Sequence, residues 1–366
     1  MSNDRQITIA LDVMGADAGE AQIIEGGIEA ARHYGGKLNV VLVGCKPELD
    51  QTLSQSDTLP GNVSVEYSET SVPMHASATD GLRRRSSSIA VALKLVREGR
   101  ADGFVSPGNT GAVMATALLT LGRIEGVSRP AITTVIPTAN LRPTLLLDVG
   151  ANVDCKPHHL EQFAVMGSVY SSIMFNNEAP RVGLLSIGEE RSKGNELVFC
   201  AGEELRKSRV NFVGNVEGRD ILSGTVDVVV TDGFTGNILL KFAESFKPLM
   251  GRAIQRQIQT NMFSRVGAML LLPFLRRMRD QFDYSRYGGV PLLGVNGIVI
   301  ICHGLSNSIA IRNAVGVGME LCSRKIIERI YDELTTNHFG HNNGTKAKSQ
   351  DHRDGVVCPA TANDQR

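Results

Sequence analysis

The chain has 366 residues, with 38 Lys+Arg against 38 Asp+Glu, so its formal charge is zero and net charge gives it no affinity for nucleic acid. With 42% hydrophobic and 21% charged residues it has ordinary soluble composition and is long enough to bury a core without disulfide or metal staples, which excludes disorder of the whole chain. Gly makes up 38 residues, aromatics only 5%, and Trp is absent, a balance that favours tight turns and close backbone approaches.

The N-terminus, MSNDRQITIALDV, has no secretory apolar region, and no apolar stretch reaches the ~18 residues a spanning helix needs. Six cysteines are scattered without a CxxC pair, which fits a reduced cytoplasmic protein better than a disulfide scaffold.

Short apolar runs recur at Ile7 to Asp12, Leu38 to Val43, Gly103 to Val105, Thr144 to Asp148, Arg181 to Leu185, Val226 to Val230 and Ile298 to Ile301. They read as buried, mostly parallel strands. Helix-length segments lie between them, at Glu20 to His33, Ser87 to Glu98, Gly111 to Leu121, His159 to Met174 and Ile238 to Gln257. Alternation of strand and helix predicts a layered α/β fold over residues 1–334. From Thr335 the chain turns polar and aperiodic, and residues 335–366 read as a disordered tail. No internal repeat stands out.

In such a sheet ligands sit beyond the carboxyl ends of strands, so the loops there carry the search. The first strand runs into Asp12-Val-Met-Gly15-Ala-Asp17, either a polar site or a tight turn capped by Asp17. Its spacing is not GxGxxG, which counts against a nicotinamide fold. Ser106-Pro-Gly108-Asn109-Thr110-Gly111 follows the next strand and opens a helix. It reads equally as a phosphate cradle or an ordinary connection, and without GKS/T it is no Walker loop. Asp148-Val-Gly-Ala-Asn152-Val-Asp-Cys155 through His159 invites a metal reading, but lacks a second ligand cluster and fits turn chemistry better. Ser186 to Glu196 places Lys193 between a strand and a helix, a point charge for phosphate or a solvated loop. Asp232-Gly-Phe-Thr-Gly-Asn237 puts an amide at the start of a helix from Ile238, a donor or a cap. The five loops are expected to converge on one crevice. There is no GxSxG elbow, so acyl transfer would be direct.

At this point the residues resemble a known family. LDVGANVDCKPHHLEQFAVMG, GEERSKGNEL, NFVGNVEGRDILSG, DGFTGNILLK and YGGVPLLGVNG, in this order along a match that covers about Ile7 to Tyr331, are similar to the bacterial phosphate acyltransferases of phospholipid synthesis. Ala16, Glu20 and Pro107 depart from the usual pattern. The resemblance implies a Rossmann-like fold akin to phosphotransacetylase and a cytoplasmic homodimer without cofactor. It implies transfer of a long-chain acyl group from acyl-carrier protein to inorganic phosphate. It also implies release of the acyl phosphate to a membrane glycerol-3-phosphate acyltransferase. Carried over residue by residue, Lys193 and Asn237 are the catalytic candidates, one for charge and one for donation to the carbonyl oxygen. Asp12, Gly15, Ser106, Gly108, Asn109, Thr110, Gly111, Asp148, Asn152 and Asp232 are the candidates for holding substrate and phosphate. An acyl-carrier-protein-binding scaffold and a dehydrogenase of like topology are the rivals.

Residues 265–279 set ten uncharged positions between arginines, too short to span, and read as a buried or dimer-interface helix or as a wedge at the inner membrane face. Arg83-Arg84-Arg85 and Arg276, Arg277 and Arg279 are candidates for docking an acidic carrier protein.

Overall fold

The computed structural model describes residues 5–54, 59–259, 262–281 and 288–342. The first half of the chain gives β1 (Ile7–Asp12), α1 (Glu20–Tyr34), β2 (Leu38–Cys45), α2 (Lys46–Leu53), β3 (Val63–Ser68), α3 (Ala78–Arg83), α4 (Ser88–Arg97), β4 (Gly103–Ser106), α5 (Thr110–Leu121), β5 (Ala131–Ile136) and β6 (Thr144–Leu147). The second half gives α6 (Pro157–Phe175), β7 (Val182–Leu185), α7 (Glu196–Leu205), β8 (Phe212–Val216), α8 (Gly218–Ser223), β9 (Val228–Val230), α9 (Gly233–Ile258), α10 (Met262–Gln281), β10 (Val290–Leu293), β11 (Ile298–Ile301), α11 (Ser308–Ser323) and α12 (Ile326–Asn342). All seven expected strands form, along with β3, β5, β8 and β10, which are short or only weakly apolar.

The strands make one sheet in the order β3-β2-β1-β4-β11-β10-β5-β6-β9-β7-β8. Strands β1 to β4 and β11 are mutually parallel. Antiparallel pairing at β11–β10, β10–β5 and β5–β6 then reverses direction three times. Hence β6, β9, β7 and β8, parallel among themselves, run opposite to the first group. The sheet is mostly parallel within each half and antiparallel between halves.

Side chains alternate across the pleat and bury both faces. Ile9, Leu11, Val105, Leu145 and Leu147 pack under α1, α6, α11 and α12, with Phe163, Met166, Ile311 and Ile330 opposite them. Ala10, Phe104, Leu146 and Val299 face the other way, against Ile89 and Leu93 of α4 and Val113 and Ala117 of α5. Continuous apolar runs therefore read correctly as strands covered on both sides.

The end of the chain differs from expectation: α12 continues to Asn342, past the boundary placed at 334. Ile326, Ile330 and Leu334 anchor it in the core, and helix propagation carries it on over polar residues once that face is fixed. Residues 343–366 lie outside the described residues.

Candidate functional site

Because strand direction reverses, the loops do not line a single rim. Those after β1, β4 and β11 leave one end of the sheet, and those after β6, β7 and β9 leave the other. The sequence could not show this, since the reversal is made by β5 and β10, which it did not reveal.

On the first rim Asp12 is fully buried at the end of β1. Its carboxylate accepts from the Ser106 hydroxyl at 2.7 Å and from Met14 N at 3.1 Å, while Ser106 Oγ accepts from Gly108 N at 3.0 Å. Burial outweighs these bonds and raises the Asp12 pKa to about 6. Asn109 is committed: Oδ1 caps α5 by accepting from Ala112 N, and Nδ2 donates to the carbonyls of Met74 and Ala76. Ser106, Gly108 and Asn109 thus knit β1, β4 and the 72–76 segment together, which is the ordinary-connection reading of that loop. Thr110 remains exposed at the helix start, with Gly111 behind it. Gly15, at φ +77, has space for no side chain without approaching Val72 O. Asp17 does not cap α1, whose N-cap is Gly19 with no side-chain bond. The turn meets instead the loop after β11, where Ala18 N donates to Gly304 O. That His303-Gly304 turn is part of the rim, and its signal in the sequence was the polar break after Ile301.

On the second rim Asp148, also fully buried, accepts from Ile132 N, Gly150 N and Ala151 N on Oδ1 and from Asn152 N and Nδ2 on Oδ2, all within 2.7–3.2 Å. Burial nonetheless raises its pKa, partly offset by these donors. Its acceptor sites are spent on its own loop and on Ile132 N of β5, so the carboxylate that the sequence offered for holding substrate is buried and fully bonded within the fold. Asn152 is likewise internal, with Nδ2 also donating to Pro130 O at 2.7 Å. Asp232 caps α9, accepting from Thr235 N and Thr235 Oγ1 at 2.8 Å each. The helix accordingly starts at Gly233, and Asn237 stands one turn inside it, neither its cap nor its first residue. With no capping duty, Asn237 is exposed.

Lys193 is exposed on the loop after β7, beside β9 in the sheet. The turn that carries it is fixed by Lys193 N donating to Glu190 O and by Asn215 Nδ2 donating to the carbonyls of Glu190 and Lys193. Asn195 caps α7 behind it. Asn215, within β8, escaped the sequence reading because nothing local marks it as a brace for a loop some twenty residues upstream. The second rim therefore offers an exposed cation on the loop after β7 and an exposed carboxamide on the helix after the neighbouring parallel strand β9.

Nothing here supplies a cysteine nucleophile. Burial pushes the Cys155 and Cys302 thiols up to about 12, leaving both protonated at neutral pH. Among the described residues no group of three His, Cys, Asp or Glu side chains is placed to hold a metal ion. No described helix is long and apolar enough to cross a membrane.

The family model described as "Fatty acid synthesis protein" matches residues 7–329. Among curated relatives, the phosphate acyltransferase of Syntrophotalea carbinolica is 44% identical over 90% of this chain and 95% of its own. That of Moorella thermoacetica is 46% identical over 88% and 95%. A phosphotransacetylase from Streptococcus pyogenes superposes with a TM-score of 0.60 at 16% identity, covering 87% of this chain and 95% of its own, which supports the Rossmann-like layered fold. By model match and by identity along nearly its whole length, the chain belongs to the phosphate acyltransferase family of fatty acid synthesis enzymes.

Proposed function

We propose that the protein moves a long-chain fatty acyl group from acyl-carrier protein to inorganic phosphate. The acyl phosphate then serves a membrane acyltransferase that acylates glycerol-3-phosphate. The observation carrying this reading is that Lys193, on the loop after β7, and Asn237, in the helix after β9, are both exposed and follow neighbouring parallel strands.

Phosphate is already an oxygen nucleophile at pH 7. One of its oxygens attacks the thioester carbonyl carbon, the tetrahedral intermediate collapses, and the C–S bond breaks. The leaving thiol has an ordinary pKa of about 8.5, so its thiolate departs without a strong acid and takes a proton from solvent. What remains for the enzyme is positioning and charge. Lys193 neutralises phosphate or the developing oxyanion, and Asn237 donates to the carbonyl oxygen. Asp232 places a carboxylate on the first turn of α9, so the anion is held by the Lys193 side rather than by that helix start. Thr110 and Gly111 on the first rim remain a second anion-binding candidate.

The working unit is a homodimer in the cytoplasm that touches the inner membrane face through residues 265–279. Val266, Met269, Leu270, Leu271 and Phe274 of α10 are all more than half exposed, which supports a role in contacts beyond the chain itself. The acidic carrier docks on the run Arg83-Arg84-Arg85, exposed at the end of α3 and just beyond it, where α3 packs on α5. The side chains of Arg276, Arg277 and Arg279 lie outside those described.

The test is incubation with palmitoyl-acyl-carrier protein and phosphate in EDTA, without nucleotide, scoring acyl phosphate. Phosphate-dependent product is expected, and Lys193→Ala and Asn237→Ala are each expected to lose about 10²–10³-fold while remaining folded. A protein that binds the carrier but forms no product is the scaffold instead. Near-wild-type turnover in either variant removes that residue from the mechanism, and loss of activity in EDTA overturns the metal-free reading.

A further inference from the structure

We infer that Asp148 is a positioning residue for Asn237: its buried carboxylate clamps the 150–152 turn, and that turn sets the first turn of the helix carrying the carboxamide. The inference rests on the assignment of Asn237 to the carbonyl oxygen.

The contact runs through backbone. Gly233 N donates to Asn152 O at 2.7 Å, and a methyl at Gly233 would stand 2.5 Å from Asn152 O and 2.7 Å from Asp148 Oδ2. A methyl at Gly236 would collide with Asp148 O. Glycine at both places lets α9 begin directly on the clamped turn. Gly150, at φ +139, completes it: a methyl there would lie 3.7 Å from Cβ, Cγ and Oδ1 of Asn237. The turn therefore lies directly beside the Asn237 side chain.

All five partners of the carboxylate are N–H donors. An amide in its place turns one end into a donor facing donors, so Asp148→Asn loosens the clamp with almost no change in volume. A residue that is 0% exposed cannot touch phosphate itself, so its loss should be read in kcat.

A double-mutant cycle on the full-length enzyme tests this, with Asp148→Asn, Asn237→Ala and the pair assayed for kcat and for KM of phosphate. Asp148→Asn alone is expected to lower kcat at least about tenfold with KM for phosphate held within about twofold. On the Asn237→Ala background the same change is expected to cost less than about threefold, because its target is gone. Losses that multiply, or a rise in the phosphate KM of about tenfold or more, overturn the inference. Should Asp148→Asn fail to fold, Gly150→Ala strains the same turn without touching the buried charge and enters the same cycle. Wild-type turnover in Asn237→Ala would sink the Asn237 assignment and the positioning role together. An impaired Asn237→Ala with an additive cycle sinks the positioning role alone.

Discussion

Asp12 and Asp148 are the same device used twice. Each sits in a Leu-Asp-Val run, fully buried at the end of a strand, and each accepts from donors of the turn that follows. The residue types that surround the rims were visible in the sequence, but which polar atoms stay free was not. Asn109 looked like a phosphate ligand until its amide was found on carbonyls at Met74 and Ala76, more than thirty residues upstream. Asn237 reads in the sequence as a donor or a cap, and the capping falls to Asp232. A prediction at this scale concerns Asp12. Its folded pKa, about 6, lies above the ordinary 3.8, so the folded state holds the proton more tightly. Stability contributed by this group is complete below pH 4 and is lost as pH rises towards 6, by about 3 kcal/mol in all. Asp12→Asn keeps a neutral group there, so urea midpoints of the variant should gain on wild type as pH rises from 4 to 6, over and above any constant offset from the lost acceptor oxygen. A constant difference across that range would show that Asp12 ionises freely in the fold.

Secondary elements were legible wherever an apolar run was long or doubly buried, as in β1, β2 and β11. β10, four residues interrupted by Pro291, and half-exposed strands such as β3 and β8 carry no clear apolar run or alternation to be seen. The α9 and α10 pair shows the opposite failing, since its apolar residues were legible but their surroundings were not. Phe242, Phe246 and Leu249 on α9 and Phe263, Leu270 and Phe274 on α10 are each more than half exposed, so the described residues do not bury them. The proposed wedge is tested by Leu270→Glu with Phe274→Glu. Removing two apolar side chains at about 25 cal/mol per Å² and adding two charges should cost several kcal/mol of lipid affinity and release the protein from phosphatidylglycerol vesicles. Activity on soluble carrier-bound substrate should persist. A variant that stays dimeric by size-exclusion chromatography and sediments with vesicles as before rejects the wedge, and one that falls to monomers assigns this surface to the dimer.

At the scale of the whole molecule, the three antiparallel pairings between β11 and β6 decide the architecture of the site. They divide the candidate residues into a rim built on Asp12 and Ser106 and a rim built on Asp148, Lys193 and Asn237. The α/β class was legible from alternation, but the reversal was not, because direction is set by which strands pair and no local pattern records that. The family resemblance names Lys193 and Asn237 together, and the strands that precede them, β7 and β9, are neighbours in the sheet. Both rims lack an activated thiol, which is why the account rests on direct attack by phosphate. Rapid mixing of the enzyme with palmitoyl-acyl-carrier protein in the absence of phosphate tests that most directly. The account predicts no release of free carrier protein until phosphate is added. A burst of carrier release equal to the enzyme concentration would reveal an acyl-enzyme and contradict it.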